Sequence, residues 1–233
     1  MKNFLELVRR PPKKRPLPDT PPPPRGERAR TVLAYALIGA VGLAVLASGS
    51  LPLAAAYLVA CRVTYLLGIG FMLKSAERRY GTLTEREAET QFHRAWTFAS
   101  RVINQDAIAL VVLSLVSAGT IPYETPRRVV LLLGTAMIVG GFAVKAWAAA
   151  SIGTRNYFFR DFFHPPDING GCRSGPYRWF DNPIYSVGYA AAYGFPLLLG
   201  SWPGLLGALF THGMVFVFHL WVERPHVRRL YGP

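Results

Sequence analysis

The chain is poor in cysteine and in charge. Only two of its 233 residues are cysteines, Cys61 and Cys172, and they form no CxxC pair. Neither a disulfide framework nor a cysteine-based zinc or redox site is therefore expected. Charged residues make up 17% of the chain, below the roughly 25% of a typical soluble domain, and hydrophobic residues make up 51%. This composition excludes a disordered chain and leaves either a large buried core or a membrane protein.

Long apolar runs decide between these two classes. Several mostly apolar stretches are long enough to cross the roughly 30 Å of a bilayer's hydrocarbon core, and the period-two alternation of a membrane barrel is missing. We predict an all-α polytopic integral membrane protein with about six transmembrane helices and a C-terminal helical hairpin around Pro203. The predicted spans are residues 31–48, 51–73, 103–118, 129–152, 185–202 and 204–222. The third span could instead continue an amphipathic helix that begins near Ala95.

Basic residues alternate between successive connections. The formal net charge is +13, and 22 of the 26 Lys and Arg lie in the N-terminal arm, the two long polar segments and the C-terminus. Two more lie in the other connections and two inside spans. This pattern predicts that both termini are cytoplasmic, in a bacterial inner membrane or the endoplasmic reticulum. It indicates contact with membrane lipids rather than with nucleic acid.

Three charged residues lie inside the predicted spans, where charge is costly. Arg62 and Asp106 are expected to form a structural ion pair, with a weaker alternative in which Asp106 accepts a proton. Lys145 lies seven residues from the end of its span, about 10 Å along a helix. It is expected to reach the surface by snorkelling.

Polar side chains concentrate in the last eighty residues. Asn182 and Pro183 are typical of a helix start, whose free amides could receive an anionic or polar ligand. Tyr185, Tyr189 and Tyr193 follow at a spacing of four, which predicts one aromatic stripe that would pack against other helices or face a cation.

A group of His and Glu residues lies near the C-terminus. A zinc site could be built from His212, His219, Glu223 and His226 if the helix continued through Pro225. His212 and His226 are too far apart along a helix to share one ion, and no metal is predicted. Glu223 and His226 are candidate proton acceptors.

The C-terminal region resembles the phospholipid methyltransferase family. The resemblance rests on GPYRWFDNPIYSVGYAAAYG followed by VERPHVRRLYG, and is most similar to fungal-type phosphatidylethanolamine N-methyltransferases. Isoprenylcysteine carboxyl methyltransferases belong to the same family, but Asn182 in place of His favours the lipid-amine branch. Asp161-Phe162-Phe163 is also similar to a Gly-Asp-Phe-Phe stretch of the fungal-type enzymes, with Arg160 in place of the Gly. A second departure is Glu223-Arg224 in place of a Glu-Glu pair. The resemblance covers residues 145–232. Together with composition it predicts three parts: a basic Pro-rich arm (1–30), N-terminal membrane helices (31–144) and a methyltransferase-like region with the cofactor site (145–233).

The resemblance implies S-adenosylmethionine as methyl donor, no metal, and a phospholipid as substrate. The expected catalytic residues are Glu223, His226 and Tyr185, although the resemblance favours Glu223 as a ligand of the donor's amino group. The expected cofactor-binding residues are Gly153, Gly175, Pro176, Tyr177, Asn182, Pro183, Tyr185, Tyr189 and Glu223. Basic residues could hold the donor carboxylate or the lipid phosphate, namely Arg155, Arg160, Arg173 and Arg178.

The expected function is N-methylation of phosphatidylethanolamine, or of its mono- or dimethyl forms, toward phosphatidylcholine. Two alternatives stay open at this point: methylation of another membrane-embedded acceptor, such as an isoprenylated cysteine carboxylate, and a membrane protein without catalytic activity. The sequence does not determine the oligomeric state.

Overall fold

The structure is a computed structural model that describes residues 26–122, 127–164 and 174–231. Nearly all of the predicted N-terminal arm, together with Cys172 and Arg173, lies outside these residues. Regular structure in the described ranges is helical throughout, which confirms the predicted all-α class. The helices are α1 (Glu27–Ser48), α2 (Leu51–Val63), α3 (Gly70–Arg78), α4 (Glu85–Val116), α5 (Arg127–Ile152), α6 (Thr154–Tyr157), α7 (Ala190–Leu199), α8 (Trp202–Phe218) and α9 (Arg224–Tyr231).

Five helical segments are long and apolar enough to cross a membrane. They are Ala29–Ser48, Leu51–Arg78, Glu85–Val116, Arg127–Ile152 and Trp202–Leu230, and a shorter apolar helix covers Val187–Leu199. The chain is thus an integral membrane protein. The predicted third span is too short, because α4 begins at Glu85, where Thr84 and Glu87 form a capping box.

Two of the long segments contain a π-helical turn. Residues Thr64–Ile69 join α2 to α3, and His219–Glu223 join α8 to α9. The second turn comes just before Pro225, whose ring and missing N–H are hard to fit into a regular α-helix. The i→i+5 hydrogen bonds of the π turn accommodate that proline. The helix therefore continues to Tyr231, beyond the predicted end of the span at Val222.

The predicted fifth span, from Tyr185 to Trp202, is wrong at both ends. A 3₁₀ turn covers Val187–Tyr189, and α7 itself covers only Ala190–Leu199. Tyr185 therefore lies in a loop, and the three tyrosines do not form one helical stripe. The hairpin with α8 is present, but Pro203 lies in the first turn of α8, where Ser201 Oγ accepts from the Gly204 amide at 2.8 Å.

Close helix contacts bring α5 against α7. A Cβ atom at Gly141 would lie 2.5 Å from the Ala191 backbone nitrogen, and one at Gly194 would lie 2.7 Å from the Gly134 oxygen. Small residues at these positions let the two backbones approach as they do at other membrane helix interfaces. This contact fixes the start of α7, and with it the loop that carries Tyr185.

Candidate active site

A cavity of about 430 Å³ lies among the membrane helices, α6 with the turn after it, and the loop before α7. Its volume is in the range of pockets that hold a cofactor-sized ligand. One part of the wall is polar and includes Asn156, Asp161, Asn182, Tyr185 and Glu223. The other part is apolar and comes from membrane helices, with Leu110, Val111, Phe142 and Phe195. A ligand with one polar and one apolar end fits such a cavity.

Glu223 is the central carboxylate of the polar wall. Tyr185 donates its hydroxyl to Glu223 Oε1 at 2.6 Å, and His219 Nδ1 lies 2.8 Å from Oε2. Burial, followed by the nearby Glu223 charge, raises the pKa of Tyr185 well above its usual range. The phenol therefore stays neutral and keeps donating to the carboxylate, which fixes the position of a negative charge at the cavity wall.

The loop before α7 is held by its own hydrogen bonds. Asn182 Oδ1 accepts from the Tyr185 amide at 3.1 Å, and the Asn182 carbonyl accepts from Ser186 Oγ at 2.8 Å. His212 Nε2 lies 2.7 Å from the Tyr185 carbonyl, and its Nδ1 lies 2.9 Å from the Tyr193 hydroxyl. The Asn182 oxygen thus supports an Asx-type turn that presents Tyr185 to Glu223.

The predicted cofactor residues divide into two groups. Those in the cavity wall are Tyr177, Asn182, Tyr185, Tyr189 and Glu223; those outside the described wall are Gly153, Gly175, Pro176 and Pro183. Gly175 has a φ of 58°, and a Cβ atom there would lie 2.0 Å from Ser151 Oγ. A side chain at this left-handed position would be strained and would displace Ser151, so glycine favours the turn that places Tyr177 in the wall.

His226 lies behind the cavity wall rather than in it. Its ring is 2% exposed and stacks on Phe162 at a centroid distance of 3.6 Å. Nδ1 lies 3.0 Å from Glu77 Oε1, and Nε2 lies 3.8 Å from Asp161 Oδ2. His226 therefore reaches the cavity only through Phe162 and Asp161.

Three of the four predicted basic residues, Arg155, Arg160 and Arg178, lie outside the described cavity wall. Arg155 Nη2 pairs with both Glu89 oxygens, at 2.6 and 2.5 Å, and stacks on Phe92. Arg178 is exposed next to Trp179, and Arg160 is partly buried. The fourth, Arg173, lies outside the described residues. Among the described residues, the lysine and arginine side chains that border the cavity are those of Arg62 and Lys145.

Several wall residues were not predicted as site residues. Asp161, Tyr157 and Asn156 come from the segment around α6, and Tyr65 comes from the π turn after α2. Asp161 was part of the quoted Asp-Phe-Phe resemblance, which was the available signal for it. The His and Glu residues considered as zinc ligands do not converge: within the described ranges, no three His, Cys, Asp or Glu side chains come together as metal ligands.

The comparisons with known proteins agree with the predicted resemblance. Residues 129–233 match the family model described as Phospholipid methyltransferase. The "Phosphatidylethanolamine N-methyltransferase" of Clavispora lusitaniae is 36% identical over 104 residues, which is 44% of this chain and 12% of that protein. The protein of the same name from Schizosaccharomyces pombe is 36% identical over 99 residues, 42% of this chain and 11% of that protein. No solved structure matches the chain.

The resemblance is thus confirmed, and the match begins at residue 129 rather than at Lys145, where it was expected to begin. The matched segment starts in α5 and contains the loop before α7, Glu223 and His226. The chain corresponds to about 12% of the length of the curated relatives it matches.

Proposed function

We propose that this chain transfers a methyl group from S-adenosylmethionine to the amine of a phosphatidylethanolamine-type phospholipid, unmodified or already carrying one or two methyl groups. The observation that carries the proposal is Glu223, whose carboxylate is held by Tyr185 and His219 in the wall of a cavity among membrane helices. The family match of residues 129–233 and the names of the relatives support the same chemistry.

The polar part of the cavity fits this methyl donor. S-adenosylmethionine carries a cationic amino group and a cationic sulfonium, for which Glu223 and the tyrosines of the wall are suitable partners. Asn156 Oδ1 is buried and has no hydrogen-bond partner among the described residues, and its residue borders the cavity. This orphaned acceptor can receive an amino or hydroxyl group of a ligand. When bound, the donor supplies an electrophilic methyl group.

The lipid amine must be neutral to react, although an alkyl ammonium has a pKa of about 10. We propose Asp161 as the proton acceptor, because it borders the cavity and burial raises the pKa of its carboxyl. A raised pKa makes the carboxylate a better base. His226 partly opposes this shift, and we assign it the role of positioning residue for Asp161. Glu223 then holds the donor.

The pH profile should reveal this base. Activity is expected to rise with pH through the pKa of Asp161, which lies above the ordinary value, because the protonated acid cannot accept a proton. Asp161→Asn should lower kcat by about 100-fold or more and abolish that step. His226→Gln should move the step to higher pH, because the histidine charge lowers the pKa of Asp161. Profiles of kcat/KM that do not change in either variant would remove Asp161 from the mechanism.

An acceptor assay tests the function itself. Purified protein is given labelled donor with phosphatidylethanolamine and, in a parallel reaction, with a prenylcysteine analogue. We expect label in the lipid, at a rate that rises with pH as the ammonium loses its proton. Label found only in the prenylcysteine ester would reject the amine acceptor, and label in neither would reject both.

A further inference from the structure

A second charged cluster borders the same cavity, among the membrane helices. Arg62 Nη2 lies 2.5 Å from Asp106 Oδ2 and donates to the Tyr189 hydroxyl at 3.1 Å. The predicted Arg62–Asp106 pair is therefore confirmed. Arg62, Asp106 and Lys145 all belong to the cavity wall. Arg62 and Lys145 are cationic and Asp106 is anionic, so the three side chains together carry one net positive charge.

Lys145 supplies that excess charge. Its ammonium lies 5.4 Å from the centroid of the Tyr189 ring and 6.0 Å from that of Phe142. It interacts electrostatically with Asp106, but Arg62 already pairs with that carboxylate. No hydrogen bond or ion pair of the Lys145 ammonium is present within residues 26–122, 127–164 and 174–231. The Lys145 ammonium thus borders the cavity without a direct acceptor among the described residues, and its snorkelling to the membrane surface stays a prediction.

Gly188 provides the space for this arrangement. A Cβ atom at Gly188 would lie 2.9 Å from Lys145 Cγ, so only a glycine lets the lysine stem pass this closely. An ammonium without a direct anionic partner among apolar helices is costly, and an anionic group of a ligand would offset that cost.

On the basis of the function proposed above, we infer that Lys145, with Arg62 beside it, binds the phosphate of the lipid substrate. The headgroup of phosphatidylethanolamine pairs one phosphate with one amine. The cavity has the complementary arrangement, with cations at Lys145 and Arg62 and carboxylates at Glu223 and Asp161.

The two ends of the cavity are connected by tyrosines. The Arg62 guanidinium carbon lies 4.9 Å from the Tyr65 ring centroid, and the Tyr65 side chain interacts with Tyr185, which donates to Glu223. A phosphate at Lys145 would therefore leave the amine of the same headgroup directed toward the carboxylate end. The acyl chains would lie along the apolar wall at Leu110 and Val111, still within the bilayer.

The competing assignment is that Lys145 binds the carboxylate of the methyl donor, which is also an anion. Three measurements separate the two: KM and kcat for a short-chain phosphatidylethanolamine, donor affinity by calorimetry, and binding without donor of short-chain phosphatidylcholine or diacylglycerol. The variants are Lys145→Gln and Lys145→Arg. Lys74→Gln is the matched control, because Lys74 lies in α3 against Trp221 and outside the cavity wall.

We expect Lys145→Gln to raise KM for the lipid and to weaken phosphatidylcholine binding by about 10- to 100-fold, the effect of losing a charged hydrogen bond. Donor affinity and diacylglycerol binding should not change, Lys145→Arg should retain most of the lipid affinity, and Lys74→Gln should behave as wild type. Weaker donor binding in Lys145→Gln, or equal losses for both lipids, would overturn the phosphate site. If wild-type protein binds phosphatidylcholine through Lys145 but methylates nothing, the phosphate site holds and the proposed function fails.

Discussion

Replacing Glu223 with glutamine is expected to lower kcat/KM for lipid methylation by roughly 100- to 1,000-fold, the usual effect of removing a preorganised electrostatic partner. Glutamine has almost the same shape as glutamate but carries no charge. It has one acceptor oxygen in place of the two carboxylate oxygens. Donor affinity measured by calorimetry should fall with it, because a buried cationic group loses its carboxylate. Steady-state rates with labelled donor measure the loss of kcat/KM.

Two further variants show whether this effect is specific. Tyr185→Phe removes the hydroxyl that donates to Glu223 at 2.6 Å and should cause a smaller loss, about 10-fold. Glu87→Gln removes a carboxylate from the exposed start of α4, where Gln also completes a capping box, and should leave activity unchanged. A Glu223→Gln protein with the activity of Glu87→Gln would show that Glu223 is not part of the site.

Breaking the Arg62–Asp106 pair is expected to destabilise the protein by about 3–5 kcal/mol, because one buried charge loses its partner. Arg62 is 3% and Asp106 is 9% exposed. Asp106→Leu should cost more than Arg62→Met. In the Arg62→Met protein the aspartate still has Lys145 nearby, whereas Asp106→Leu leaves the buried Arg62 and the partly buried Lys145 without that carboxylate.

Denaturant unfolding in detergent micelles measures these losses. The double variant Arg62→Met/Asp106→Leu should recover part of the stability lost in either single variant, since an apolar replacement of a buried pair is often near neutral. Single losses that simply add in the double variant would show that the two side chains do not interact energetically.

The membrane helices were predictable because their signal is local. Apolar runs such as residues 129–152 directly indicate spans, even with one lysine inside, and α5 indeed covers Arg127–Ile152. The start of α4 at Glu85 was not predicted, because the alternative helix was placed only from near Ala95, although Thr84 and Glu87 have the sequence pattern of a capping box. The predicted cytoplasmic location of both termini rests on charge alone and stays a prediction.

The contacts of the site were harder to predict because they join distant parts of the chain. Glu223 could be singled out as an acid at the end of an apolar run, but its pairing with Tyr185 depends on the loop that replaces the expected helix start. His226 lies between Glu77 and Asp161 only because α3, α9 and the turn after α6 converge. A count of the arginines in each loop could likewise not predict that Arg155 pairs with Glu89.

The most direct test of the account is lipid analysis of a host that makes phosphatidylethanolamine but no phosphatidylcholine. Expression of this chain is expected to produce N-methylated phosphatidylethanolamine, with labelled methyl groups after feeding labelled methionine. The Glu223→Gln protein, present in the membrane at equal abundance, should produce little or none. Lipids that are identical with and without the chain, while the purified protein binds the donor, would contradict the proposed acceptor. Equal methylation by the Glu223→Gln protein would contradict the proposed site.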